Sequence, residues 1–173
     1  MVLKELFLYQ EPLLNYNLEK GEAKVNIIGA PFDVTTTYRP GSRFGPNAIR
    51  EAFAHIEIYY PEEDVDLEKF PMKDLGNLRA SKKVDEYLSV LEKVLREIKQ
   101  KTFCILGGEH TVSLGSIRAL KEDKVCYIIF DAHFDLRDEF EGFKFSHATY
   151  LRRGIEELDK DRFFHLGVRA LSK

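Results

Sequence analysis

The sequence predicts a three-layer α/β/α fold with a mainly parallel sheet, and three observations support this class. Short apolar segments typical of strands alternate along the chain with amphipathic segments typical of helices. No internal repeat or low-complexity stretch interrupts this alternation. The run 125–130 joins β-branched, aromatic and thiol side chains without polar alternation, as expected for a parallel strand that is buried on both faces.

Length and composition limit the possible classes of protein. A chain of 173 residues is enough for one domain with a true core, so we predict a single domain over residues 1–173. The net charge of -3 provides no general basic field for nucleic acid or an anionic membrane. No apolar run approaches the roughly 18 residues of a membrane helix, and the start does not resemble a signal peptide, so we expect a cytoplasmic protein. Cys104 and Cys126 lie in apolar runs and are expected to be buried free thiols.

The first half of the chain contains two predicted strands and one predicted helix. Residues 1–20 carry apolar side chains without a sustained period and are expected to form a packed arm. A strand at 25–29 leads into a long loop rich in Gly and Pro, and Pro46 suits the first position of the helix that follows. The alternation at 56–60 predicts a strand near a sheet edge, and turns are expected around Gly76.

The second half begins with the clearest amphipathic helix, which Ser81 can cap and which extends to Ile98. A buried strand at 102–106 is broken by a Gly pair, which allows a sharp turn that sets His110 at the mouth of the next helix. A short helix around 151–159 and a strand at 163–169 complete the prediction.

Three potential metal ligands occupy alternate positions where the strand 125–130 ends: Asp131, His133 and Asp135. Ligand sites of parallel α/β sheets lie at the carboxyl ends of strands. In extended backbone, residues i, i+2 and i+4 project to one side, so the two carboxylates and the imidazole are expected to gather there. A solvated strand end would explain any one of these residues alone, but the alternating trio favours a metal site.

Four motifs are distributed along the chain. They are Gly-Ala-Pro-Phe-Asp at 29–33 with Arg-Pro-Gly-Ser-Arg-Phe-Gly-Pro at 39–46, Gly-Gly-Glu-His at 107–110, Asp-Ala-His-Phe-Asp at 131–135, and Phe-Ser-His-Ala-Thr at 145–149. Together they resemble the ureohydrolases, the family of arginase and agmatinase, in order and spacing over nearly the whole chain. The resemblance implies a binuclear manganese hydrolase that splits a guanidinium group into urea and an amine.

The resemblance also implies a role for each matching residue. His110 and Asp135 would bind one manganese ion, His133 the other, and Asp131 both, with Asp135 and His147 as catalytic residues and His147 placed to shuttle a proton near the substrate. The chemistry agrees, because a guanidinium is a poor electrophile, and two divalent ions that bridge a water lower its pKa from about 15.7 toward about 7. Carboxylate and imidazole ligands without a thiolate suit Mn²⁺.

The segment after the third motif bears on the substrate. Asp138, Glu139 and Glu141 suit a cationic amine and repel a carboxylate, although Arg137 partly offsets their charge. A solvated acidic loop remains the alternative for each acid. Because arginases resemble one another here in small hydroxyl and amide residues, the resemblance favours agmatinase, which makes putrescine for polyamine biosynthesis from agmatine, with His147 also at the substrate. Arginase, guanidinobutyrase and formimidoylglutamase remain alternatives.

The chain departs from the family in one respect. The family's second ligand motif, an Asp-x-Asp followed soon by Asp-Pro, would lie beyond Lys173, so the chain is expected to be an N-terminal portion that binds Mn²⁺ weakly and releases no appreciable urea from agmatine. Strands from the centre of the family's sheet would also be missing, which would leave two unpaired edges. The family's trimers and hexamers imply a homo-oligomer. A non-catalytic remnant that binds metal weakly or docks on a homologue is the alternative outside the enzymes.

Overall fold

The structure, a computed structural model, describes residues 7–8 and 23–171. The predicted packed arm at 1–20 lies outside the described residues except for one short strand. The strands are β1 (Phe7–Leu8), β2 (Val25–Ala30), β3 (Tyr59–Tyr60), β4 (Val65–Asp66), β5 (Met72–Leu78), β6 (Thr102–Gly107), β7 (Tyr127–Phe130) and β8 (Phe163–Leu166). The α-helices are α1 (Gly45–Phe53), α2 (Val84–Ile98), α3 (Ser113–Ala119) and α4 (Tyr150–Glu157), and 3-10 turns cover Ser42–Phe44, His110–Val112 and Lys160–Arg162.

The described residues form two compact units. The first contains the described residues up to Phe32 together with 41–80 and 97–108, and the second contains 33–40, 81–96 and the described residues from Glu109 onward. The single domain over residues 1–173 that the length suggests stays a prediction. The longest helix of the described ranges, α2, has 15 residues, and none of the helices there has the length and apolar character to cross a bilayer.

The first unit contains a four-stranded sheet in the order β1-β5-β2-β6. Strand β2 pairs in parallel with both β5 and β6, and β1 pairs with β5 in the antiparallel sense. Ile27 and Met72 form one buried core cluster of the unit, and partly buried apolar residues such as Phe53 and Leu106 pack on them. The parallel pairing that the alternation of elements predicts is therefore present.

Strand β5 was not predicted, because Gly76 and Asn77 are typical of turns. In the structure Gly76 adopts a φ of 82°, the register against β2 shifts between Ile27 and Gly29, and the strand continues. The buried Asn77 side chain accepts a hydrogen bond from Arg50. A partner far away in sequence thus makes the polar segment compatible with a strand between two others.

The predicted strand at 56–60 is mostly wrong. Only Tyr59–Tyr60 is a strand, and it pairs with β4 in an exposed hairpin. The acidic segment after Pro61 forms the turn of that hairpin, with Asp64 at a φ of 53° and bonded to the hydroxyl of Tyr59.

The second unit packs α3 and α4 on one face of a parallel pair, β7 and β8. Its core cluster contains Leu88, Leu114, Ile117, Tyr150, Leu151 and Leu158, with Tyr127, Ile129 and Phe163 from the strands packed against it. Inward-facing and outward-facing side chains alternate along both strands. The pair therefore has one covered face and one open face within its unit.

Two predictions of burial are wrong. The strand ending at Phe130 is not buried on both faces, since the Phe130 side chain is 80% exposed and Ile128 is 60% exposed. Cys104 and Cys126 are exposed free thiols and not buried ones. An apolar sequence run shows that a strand has apolar side chains on both faces, but it cannot show that packed elements cover both.

Candidate metal centre

The segment 131–137 begins where β7 ends, and backbone hydrogen bonds hold it on two sides. The N–H of Asp131 donates to the carbonyl of Leu166 at 3.1 Å, which continues the ladder of β7 and β8 by one step. The carbonyl of Asp135 accepts from the N–H of Arg152 in α4 at 3.3 Å. The ligand-bearing loop is therefore fixed to both the sheet and the helix of its own unit.

His110 starts a 3-10 turn that leads directly into α3. The preceding residue, Glu109, is its N-cap, and the Glu109 carboxylate accepts the N–H of Thr111 at 2.9 Å. The second glycine of the pair before it is required for a reason other than the sharp turn that we expected. A Cβ on Gly108 would lie 2.0 Å from the carbonyl oxygen of Phe32, so close approach of backbone and not a positive φ requires glycine there.

One imidazole nitrogen lies between two carboxylates. Nδ1 of His110 is 2.9 Å from Oδ2 of Asp131 and 3.1 Å from Oδ2 of Asp135. Ligand atoms of these three residues all lie within 4.8 Å of one another, and all three side chains are partly buried. One nitrogen and two carboxylate oxygens that converge in this way could hold a divalent cation.

Asp135 reaches this cluster by a turn and not by extended backbone. Its φ is 52°, in the left-handed region that Asp tolerates better than most residues. The alternation argument is therefore wrong about how the side chains meet. The turn brings Asp135 back toward Asp131 and His110, while His133 is 63% exposed and stands outside that group of three.

His133 instead contacts the second oxygen of the Asp131 carboxylate. Its Nδ1 lies 3.4 Å from Oδ1 of Asp131, and its backbone N–H donates to the same oxygen at 2.8 Å. The two oxygens of Asp131 thus face two different histidines, His110 and His133. A carboxylate in this position can contact two adjacent cations at once.

The surroundings of Asp131 favour its ionised form. Burial raises the pKa of the carboxyl group, but the hydrogen bond from the N–H of His133 and the nearby imidazole of His110 outweigh burial. The pKa therefore lies below its ordinary value of 3.8. The group is a carboxylate at neutral pH, as a cation ligand must be.

Tyr150 packs on His110, a contact that the sequence does not indicate. The two ring centroids lie 4.1 Å apart with 35° between the planes, and Tyr150 is 1% exposed. Burial is the main cause that raises the pKa of the Tyr150 phenol, and the carboxylates of Asp135 and Asp131 raise it further. The Tyr150 phenol thus stays uncharged at neutral pH, and its ring packs against the imidazole of His110.

A cavity of about 640 Å³ opens beside the cluster within the second unit. Its lining residues include Thr37, His133, Asp135, Arg137, Phe140 and His147. The His147 ring meets Phe140 edge to face at 5.7 Å, and its Nδ1 is buried without a hydrogen-bond partner among the described residues. His147 therefore lines the same cavity as two of the candidate ligands, His133 and Asp135, and is not part of the group of three.

The three acids suggested for the substrate do not line this cavity. Asp138 points outward with its side chain 79% exposed and pairs with Nη2 of Arg153 at 2.6 Å, which lowers the pKa of its carboxyl group. Glu139 and Glu141 are exposed, and Glu141 occupies a tight turn with a φ of 48°. The charged side chain of this segment that does line the cavity is Arg137, whose guanidinium stacks on Phe140 at 4.8 Å.

The fold and the site together define an α/β protein with a candidate metal centre of carboxylates and imidazoles at a strand end. Comparison with known proteins is more specific. The sequence profile of the arginase family matches residues 23–173. The chain therefore belongs to the arginase family, and both the resemblance seen in its motifs and the α/β fold class are confirmed.

Several relatives are similar over most of this chain. An N(1)-aminopropylagmatine ureohydrolase of Thermococcus kodakarensis is 35% identical over 97% of this chain and 59% of its own length. An agmatinase of Bacillus subtilis is 38% identical over 86% of this chain and 53% of its own length. The crystal structure of an agmatine ureohydrolase of Thermoplasma volcanium superposes with a TM-score of 0.87 at 34% identity, over 98% of this chain and 58% of that one. The chain thus spans little more than half the length of these relatives.

Proposed function

We propose that these residues belong to a manganese-dependent ureohydrolase of the agmatinase type, which hydrolyses agmatine to putrescine and urea. One observation carries the proposal: the Asp131 carboxylate stands between His110 and His133, with Asp135 on the same nitrogen of His110. Relatives whose names include agmatinase and agmatine ureohydrolase support the substrate.

The donor set fits a pair of hard to borderline divalent ions. We assign His110 and Asp135 to one ion, His133 to the other and Asp131 to both. Oxygen and imidazole donors without a thiolate suit Mn²⁺ better than soft metals. When bound, such a pair supplies a nucleophile at neutral pH, because it lowers the pKa of water that it binds.

His147 is the residue of this chain best placed to move a proton near the substrate. Its ring lines the cavity, and Phe140 fixes the plane of the ring from one edge. Imidazole gains and loses a proton near neutral pH, which suits the release of an amine.

Arg137 supports a second candidate, hydrolysis of a guanidino acid such as guanidinobutyrate. Arg137 is the Arg or Lys side chain among the described residues that line the cavity. Asp138, in contrast, points to solvent. A fixed cation would attract the carboxylate of a guanidino acid and repel the amine of agmatine. A guanidinobutyrase of Pseudomonas aeruginosa is 34% identical over 83% of this chain, although the chain covers only 47% of it.

The test measures urea release from agmatine and guanidinobutyrate, in the 173-residue chain and in the longest polypeptide that its gene encodes. Arginine and formimidoylglutamate complete the panel, with formamide measured for the latter. We expect Mn²⁺-dependent urea release from agmatine in the longest polypeptide, and its loss in Asp131→Asn. Metal binding without hydrolysis of any substrate would favour the non-catalytic alternative, and faster turnover of guanidinobutyrate would favour the second candidate.

A discriminating variant separates the two substrates. Arg137→Gln removes the cation but keeps a polar side chain of similar length. If guanidinobutyrate is the substrate, this change should raise its KM by about tenfold or more, since one charge-assisted hydrogen bond contributes roughly 1.5–3 kcal/mol. If agmatine is the substrate, KM should stay the same or fall.

A further inference from the structure

Glu109, next to the candidate ligand His110, accepts hydrogen bonds with both of its carboxylate oxygens. Oε1 accepts from the hydroxyl of Thr35 at 2.5 Å. Oε2 accepts from the hydroxyl of Thr111 at 2.5 Å and from the N–H of Thr111 at 2.9 Å. Thr35 and Thr111 are both buried, at 3% and 0% exposed.

The neighbours of the Glu109 side chain match an acceptor at this position. A carboxylate only accepts hydrogen bonds, and here it meets two hydroxyls and one N–H, all of which can donate. Hydroxyl-to-carboxylate distances of about 2.5–2.7 Å are typical of charge-assisted bonds, which are roughly twice as strong as neutral ones. The network is therefore stronger than its three bonds would be with a neutral acceptor.

The network joins two separate segments of the second unit. Thr111 belongs to the 3-10 turn that carries His110, whereas Thr35 belongs to the segment 33–40. Two residues beyond Thr35, Thr37 lines the cavity together with His133 and Asp135. One carboxylate thus fixes both the backbone that orients a candidate ligand and a segment that forms part of the cavity wall.

We propose that Glu109 is a positioning residue, which sets the imidazole of His110 toward Asp131 and Asp135 by tying its turn to Thr35. This inference rests on the proposed role of His110 as a metal ligand. Glu109 is not among the three residues whose ligand atoms converge, and its oxygens accept bonds from Thr35 and Thr111 instead. Partners that orient ligands in this way typically change metal affinity by about 10–100-fold when they are removed.

Four variants separate positioning from simple support of the fold. Glu109→Ala removes the three hydrogen bonds to the carboxylate. Thr35→Val keeps the shape of the side chain but removes the hydroxyl. Thr35→Ser keeps the hydroxyl and removes the methyl group. Glu109→Gln can offer its amide oxygen to the N–H of Thr111 and its NH₂ to the hydroxyl of Thr35, so it keeps the connection without the charge. Glu122→Ala, which removes an exposed acid, is the control for loss of charge.

Two measurements on the 173-residue chain report on His110. The first is the Kd of Mn²⁺ by electron paramagnetic resonance. The second needs no metal: the ring nitrogen signals of His110 in a chain labelled with ¹⁵N-histidine, identified among the five histidines by their loss in His110→Gln. Circular dichroism checks that each variant folds. If Glu109→Ala does not fold, Thr35→Val takes its place.

We expect Mn²⁺ to bind about tenfold more weakly in Glu109→Ala and Thr35→Val, less weakly in Glu109→Gln, and normally in Thr35→Ser and Glu122→Ala. The His110 ring signals should shift or broaden in the same order without metal. Unchanged His110 signals in Glu109→Ala and Thr35→Val, even with a lower melting temperature, would overturn the proposal. Loss of Mn²⁺ in Glu109→Gln as complete as in Asp131→Asn, with Thr35→Val unaffected, would also overturn it and make Glu109 a ligand.

The two proposals fail in different ways. If the unchanged chain does not bind Mn²⁺ at any concentration tested, the proposed metal function loses its support. The His110 signals of the metal-free variants still decide whether Glu109 positions the ring.

Discussion

Replacement of Arg50 by Met should destabilise the first unit more than any change at a surface ion pair. The guanidinium of Arg50 holds Asp74 with two bonds, Nε to Oδ2 at 2.7 Å and Nη2 to Oδ1 at 2.8 Å, and donates to the side chain of Asn77 at 2.6 Å. The side chains of Arg50 and Asp74 are only 7% and 3% exposed. This network connects α1 to β5, the strand that the sequence does not predict.

The expected size follows from burial. Removal of one partner of a buried ion pair typically costs about 3–5 kcal/mol, because the other charge remains in a poorly solvated place. Met fills much of the volume of the Arg stem, so loss of packing adds little. For a chain of this size, about 2–4 °C of melting temperature corresponds to each kcal/mol, which gives a decrease of roughly 6–20 °C.

The assay is urea denaturation followed by circular dichroism, with Arg152→Met as the matched control. Arg152 pairs with Glu156 on an exposed helical surface at 3.4 Å, where the same substitution should cost at most about 0.5 kcal/mol. The double variant Arg50→Met with Asp74→Leu should recover much of the loss, since it leaves no buried charge. A cost below about 1 kcal/mol for Arg50→Met, or no recovery in the double variant, would refute the reasoning.

The second unit offers three further measurements. Asp131→Asn should weaken Mn²⁺ binding more than Asp135→Asn in isothermal titration, because Asp131 faces both histidines and Asp135 only one; equal losses would argue against a shared ligand. Phe130→Lys should reduce self-association in analytical ultracentrifugation, since Phe130 is 80% exposed on an open apolar sheet face, and an unchanged sedimentation profile would contradict this. The pKa of Tyr127 is raised from 10.0 to about 12, mainly by burial. Between these pH values the phenol stays protonated in the folded chain and ionises in the unfolded chain. Its contribution to stability is therefore full below pH 10 and is lost as pH rises toward about 12, and Tyr127→Phe should reduce this alkaline loss in denaturation measured across that range.

The sequence predicted much of the fold because the relevant signals are local. The apolar spacing of α2 and the runs of β2, β6 and β7 depend only on neighbouring residues along the chain. Strand β5 could not be predicted, since its polar residues are stabilised there by distant partners, chiefly Arg50. Arg50 lies 24 residues from Asp74 and 27 from Asn77, and periodicity contains no information about such distant pairs.

The candidate site shows the same division. The motifs alone placed His110, Asp131, His133 and Asp135 in one proposed centre. In the structure these four side chains do lie near one another. The role of each as a ligand stays a prediction. Glu109, which caps the turn of His110, belongs to the motif at 107–110, but the motif indicated no role for it, and Tyr150, which packs on the His110 ring, had no sequence signal.

The sequence by itself determined the family, the alternation of strands and helices, and the residue types at the strand end, because motifs and periodicity are written in consecutive residues. Only the tertiary structure decided that Asp135 arrives through a left-handed turn and that Phe130 faces outward. It also decided that Arg137 lines the cavity in place of the three acids proposed for the substrate. These properties depend on which distant segments pack together and which faces they cover. Burial and direction are therefore properties of the folded chain and not of any local stretch of it.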